Sequence, residues 1–352
     1  MTEIIQRNIR RNLRYRLLLS VSSAAALALA GEAQARDDAR PTVWIELGGA
    51  FDQISREATE WVPPNLTDPI SNPSPEPFGK SPAIGYDVDA AIEIQPNGSD
   101  WIFGASLRYG RAQRGPKHFH DQTYKTRNAG YGKYALTTYA FLNAKEQSRS
   151  THAIVDFNVG RDVGLGSFHD GRSTIHFGVR MAQLNERAEA SLTAFSTAPA
   201  KYSSGKIVHK ADALMARSYT GFGPAVSWDG AAPLIGSLDD GLSFDWGANA
   251  SVLFGKQKAR IALHTQDARY YGAGANTVLS HLTSAPVRDR TVAVPNLGGF
   301  AGLSWRLPNS EISLGYRADF FFGAVDGGLS TSEKETRGFY GPFAKISVGL
   351  GG

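Results

Sequence analysis

Between Ala83 and Ile94 the chain sorts its residues by parity. One parity holds Ala83, Gly85, Asp87, Asp89, Ala91 and Glu93, and the other Ile84, Tyr86, Val88, Ala90, Ile92 and Ile94. Successive side chains of a strand point to opposite faces, so a strand here has one wholly apolar face and one small, acidic face. A helix would scatter the carboxylates around its circumference. If lipid surrounds this segment the acidic face must turn inward, because each charge facing the bilayer midplane costs a few kcal/mol.

The alternation recurs. Val43, Ile45, Leu47, Gly49 and Phe51 oppose Trp44, Glu46, Gly48, Ala50 and Asp52, and Trp101, Phe103, Ala105, Leu107 and Tyr109 oppose Gly104, Ser106, Arg108 and Gly110. Similar segments start near Val155, Ile175, Gly221, Leu242, Asn296, Ile312 and Ala344. They amount to about ten strands, within a range of roughly eight to fourteen. Short connections are expected at 96–100, 164–172, 230–240 and 307–310, and long ones at 55–82, 111–151, 186–214, 255–290 and 323–338. The first long one is rich in proline, which a central strand does not tolerate. Alternating short turns and long loops predict an all-β fold: a transmembrane antiparallel up-and-down β-barrel with long extracellular loops. A soluble β-sandwich also alternates with period two. Two features weigh against it: the polar parity is mostly Gly, Ser, Asp, Asn and Arg, and Trp101, Tyr109, Trp228, Trp305 and Phe322 stand near strand ends, where an interfacial girdle needs aromatics.

The N-terminus reads as an export signal. Arg7, Arg10, Arg11, Arg14 and Arg16 precede an uncharged apolar run from Leu17 to Ala30, and Ala33-Gln34-Ala35 offers a peptidase site. The run is shorter than the roughly 20 residues a spanning helix needs. The expected division is a cleaved signal peptide at 1–35 and one barrel domain at 36–352. Taking the five Arg and two Glu of residues 1–35 from 37 basic and 33 acidic residues leaves 32 and 31, so the rest is nearly neutral. No basic tract remains for nucleic acid. Without cysteine there are neither disulfides nor thiolate metal sites. The expected location is the outer membrane. Expected partners are outer-membrane lipid, the barrel-assembly machinery and periplasmic chaperones, and small solutes.

Several stretches resemble a known family. "HAIVDFNVGRDVGLG" at 152–166 is followed by "STIHFGVR" at 173–180, "GFGPAVSWDG" at 221–230, "WGANASVLFG" at 246–255, "GLSWRL" at 302–307 and "EISLGYRADFFF" at 311–322. This order resembles the Legionella-type major outer membrane proteins over roughly the C-terminal two-thirds of the chain. The resemblance implies a pore-forming, porin-like barrel. The chain departs from many outer-membrane barrels in ending on Leu350-Gly351-Gly352 instead of an aromatic residue.

The inward parity supplies the candidate functional residues: Arg108, Asp156, Arg180, Asp245, Arg306, Arg317 and Asp319, with Arg217, Asp87, Asp89, Glu93 and Asp229 beside them. Two readings stand. Charges lining a lumen select solutes, and paired charges fill and rigidify a narrow barrel. The first predicts a channel for passive passage of small solutes; the second, a plugged structural or adhesive surface barrel that works through its loops. An outer-membrane lipid-modifying enzyme is a third class. His152 and Asp156 have suitable residue types for it, but no G-x-S-x-G elbow places a nucleophile beside either. His118, His120 and Asp121 are too sparse a set for a metal site, and no cofactor, metal or catalytic residue is expected.

Overall fold

The computed structural model describes residues 43–96, except 55–82, then 99–119, 122–128, 135–163, 171–197, 206–271, 275–284, 287–326 and 334–350. The expected signal peptide and the proline-rich connection lie outside these residues. Twelve strand segments and no helix occur among the described residues. In chain order they are β1 (Val43–Ile54), β2 (Ala83–Ile94), β3 (Trp101–Phe119), β4 (Gln122–Asn128), β5 (Ala135–Asp162), β6 (Arg172–Thr197), β7 (Lys206–Gly236), β8 (Gly241–Tyr271), β9 (Ala275–Ser284), β10 (Val287–Leu307), β11 (Ser310–Asp326) and β12 (Lys334–Leu350).

All pairings are antiparallel, and β1 bonds to both β2 and β12, which closes the sheet. β3 and β4 lie end to end along β5, as β9 and β10 do along β8. The twelve segments therefore make ten staves of one barrel. Closure leaves no unpaired backbone edge in the lipid zone, the condition any spanning sheet must meet.

The short connections have local turn chemistry. Ser99 N donates to the Pro96 carbonyl at 3.0 Å. Between β7 and β8, Ser237 N donates to the Asp240 carbonyl at 2.9 Å, while Ser237 Oγ accepts from the Asp239 and Asp240 amides at 3.3 and 3.2 Å. Gly236 and Gly241 flank this turn at φ 81° and 144°, where a side chain would be strained.

Parity assigns the faces as the sequence predicts. Phe177, Phe222, Leu314 and the aromatics Trp101, Tyr109, Trp228, Trp305 and Phe322 point out and are exposed. The outer face changes character abruptly along the ladder. Leu107, Val155, Met181, Phe222, Phe254 and Ala293 form one cross-strand row. Two residues further toward the long connections, the same strands present Tyr109, Ala153, Gln183, Thr220, Lys256 and Thr291, and then Arg111, Thr151, Asn185, Ser218, Lys258 and Asp289. This apolar-to-polar step is the edge of the acyl zone.

Four expected long connections are corrected here. Much of 111–151, 186–214 and 255–290 is strand, and 323–338 holds the ends of β11 and β12. Alternating apolarity stops at the membrane edge, but backbone ladders persist beyond it, since hydrogen bonding needs no greasy face. β7 and β8, each 31 residues, run well past the band.

Candidate functional site

The lumen is stratified. Read from the short-turn end, β6 places His176, Arg180, then Ala182 and Leu184, then Glu186 inward, while β11 places Glu311, Arg317, Asp319, Phe321 and Asp326. β12 follows with Lys345, Phe339, Arg337 and Glu335. On β6 and β11 the order is charge, charge, apolar, charge, whereas β12 passes from Lys345 through Phe343 and Phe339 to Arg337 and Glu335.

The layer nearest the short turns is more exposed than the middle one. Arg306 sits 3.1 Å from Asp245 and 3.1 Å from Glu311, and Lys345 lies 3.0 Å from Glu46. Ser304 Oγ donates to Asp245 and lies 2.8 Å from Ser313 Oγ. His176 Nε2 lies 3.6 Å from Asp229.

The middle layer is denser. Arg108 on β3 donates to Asp319 on β11 at 2.5 Å, and Arg317 on β11 reaches Asp87 and Asp89 on β2. These strands are not neighbours in the closed sheet, so the contacts cross the interior. Arg180 holds Asp156 and also donates to Asn249 at 2.7 Å and Asn296 at 2.5 Å. Thus Arg108, Asp156, Arg180, Arg317 and Asp319 come together in this layer, whereas Asp245 and Arg306 belong to the layer below.

Above the middle layer lies an apolar one, with Ile54, Ile154, Leu184, Tyr219, Leu253, Val294, Phe321 and Phe339 packed in one buried cluster. Tyr219 satisfies its hydroxyl by donating to the Leu253 carbonyl at 3.0 Å. A last ion layer closes over it. Arg217 donates to Glu186 at 2.7 Å, Glu335 at 2.6 Å and the Asp326 carbonyl at 2.9 Å. Arg337 also bonds Glu186, and Arg288 bonds Asp326 at 2.8 Å.

The sequence reading missed the apolar layer and most of the upper ion layer. Parity carried the signal: Phe321 shares its face with Asp319, and Phe339 with Lys345. The assumption that inward means polar hid it. His152 and Asp156 have separate partners, because Asp156 is held by Arg180 and His152 faces Asp52 and Asp87. His120 and Asp121 lie outside the described residues.

Residues 117–349 match the family described as Legionella pneumophila major outer membrane protein precursor. No curated protein matches the chain significantly. Among solved structures, the translocator domain of autotransporter NalP from Neisseria meningitidis is 10% identical, with 97% of this chain and 95% of that one covered and a TM-score of 0.23. The transport unit of autotransporter AIDA-I from Escherichia coli is 7% identical, with coverages of 94% and 98% and a TM-score of 0.24. The toluene transporter TbuX of Ralstonia pickettii is 9% identical, with coverages of 89% and 90% and a TM-score of 0.23. Superpositions this loose carry no functional argument.

Proposed function

The chain belongs to the Legionella major outer membrane protein family, and from that premise we propose that it is a narrow outer-membrane channel for small polar solutes and ions, gated at its apolar layer. The carrying observation is that charged layers line the lumen on both sides of that single layer. Burying ions costs several kcal/mol each before pairing, so apolar filling would rigidify a closed barrel as well or better. Charge on both sides suits a path that water and solutes enter from either end, and a thin apolar constriction gates by dewetting. Arg108, Asp156, Arg180, Asp245, Arg306, Arg317 and Asp319 are then the selectivity elements. The middle layer holds Asp52, Asp87, Asp89, Asp156 and Asp319 against Arg108, Arg180 and Arg317, a bias toward cations.

One observation favours the plugged-scaffold reading: Tyr219, Leu253, Val294 and Phe321 are fully enclosed. Planar-bilayer recording of the refolded protein and of a Phe321→Ala/Phe339→Ala variant separates the two. The channel reading expects stepwise openings, larger or more frequent in the variant. Silence from both folded proteins overturns it and leaves the scaffold.

A further inference from the structure

One cluster in the lumen is not resolved into ordinary ion pairs. Asp52 on β1, Asp87 on β2 and His152 on β5 each turn one donor atom to a common point, and the three atoms lie within 4.8 Å of one another. All three residues are buried, at 2%, 2% and 1% exposure. The Nε2 of His152 is 3.7 Å from Oδ2 of Asp52 and 3.7 Å from Oδ2 of Asp87. Neither imidazole nitrogen and neither of these oxygens has a hydrogen-bond partner. Arg317 engages the other oxygen of Asp87 and leaves Oδ2 facing the imidazole.

A separation of 3.7 Å is too long for an N–H···O hydrogen bond. It is close to the spacing of two ligands on one tetrahedral ion, which bonds of about 2.0–2.1 Å place roughly 3.4 Å apart. Charge points the same way. The five carboxylates and three guanidinium groups of this layer leave two negative charges over, the amount one divalent cation neutralises. The surroundings hold the imidazole in place: Phe339 packs on it with ring centroids 4.2 Å apart, and a Cβ at Gly110 would overlap it.

We propose that Asp52, Asp87 and His152 bind one divalent metal ion of the class that takes mixed nitrogen and oxygen ligands, with zinc the best fit, and that water completes the tetrahedron. The ion ties β1, β2 and β5 together across the lumen. This site does not depend on whether the barrel conducts.

The test uses untagged full-length barrel, refolded in detergent, stripped with chelator and titrated with Co²⁺ as a spectroscopic stand-in. The expected result is one Co²⁺ per chain with the intense visible bands of a tetrahedral site, displaced by Zn²⁺. Asp52→Asn and His152→Asn should abolish the bands while keeping the heat-modifiable gel shift of a folded barrel. Gly110→Ala, which displaces the imidazole, should weaken binding by about tenfold or more. Should the variants not fold, X-ray absorption of the zinc-loaded wild-type protein must show one imidazole in an oxygen shell. No binding by the wild-type protein, undiminished bands in the folded variants, or more than one imidazole at zinc overturns the site. If the wild-type barrel binds no metal and His152 simply titrates between the two carboxylates, the occupant is a proton and the metal assignment falls.

Discussion

Asp156 and Arg180 face each other across the β5–β6 ladder and share two hydrogen bonds, Nε to Oδ1 at 2.7 Å and Nη2 to Oδ2 at 2.9 Å. This bidentate geometry is the strongest a guanidinium and a carboxylate form. Asp156→Ala leaves a buried guanidinium with the amide oxygens of Asn249 and Asn296 and, at 3.9 Å, the carboxylate of Asp319. The folded barrel should lose about 2–3 kcal/mol, read by urea unfolding in micelles. A loss below half a kcal/mol would mean that water already replaces the pair.

Arg217 is the keystone of the upper ion layer, with its side chain 1% exposed between Glu186 and Glu335. Arg217→Met removes one cation and leaves both carboxylates buried, at a cost of about 3–5 kcal/mol. Combining it with Glu335→Gln should restore part of that loss. A double variant as unstable as the single would show that the charge imbalance was not the cause.

The membrane edge is testable on the outer face. Val226 lies within the apolar band and Gln183 just past its rim. Val226→Arg should cost about 2–4 kcal/mol in a lipid-based refolding equilibrium and Gln183→Arg no more than about 1 kcal/mol. Equal costs would move the bilayer edge away from the row where Met181 gives way to Gln183.

Under the channel reading, Arg306 is the safest lumen cation to neutralise, since it lies in the partly exposed layer near the short turns. Arg306→Gln leaves Asp245 and Glu311 uncompensated. The reversal potential in a salt gradient should shift toward greater cation preference, with the gel shift unchanged. An unmoved reversal potential in a conducting variant removes Arg306 from the filter.

The barrel was legible because a lipid-facing strand must alternate and the alternation survives in segments as short as Ile175–Arg180. Which residues face inward was legible for the same reason, and Arg108, Arg180, Arg306 and Arg317 all do. Their partners were not. The partner of Arg108 is 211 residues away, and that of Arg217 in β12 is 118 away. Such pairings depend on the tilt and stagger of the closed sheet, which no local pattern encodes. Strand ends beyond the membrane were misread because Arg187–Thr197 and Lys256–Tyr271 lack the apolar parity that marks a strand in lipid, although their ladders continue.

Past the rim, the sheet formed by the described residues no longer closes. Among the described residues, β4 bonds only to β5 and β9 only to β8, so the protruding wall ends in two open borders. A long straight border of free amides and carbonyls invites pairing with another molecule. Both borders are irregular, with a register shift between Arg114 and Lys117 where β3 meets β5 and another between Asp267 and Ala268 where β8 meets β9. A border twisted out of line at those two places is a poor template, so barrels can stand side by side without knitting into one another.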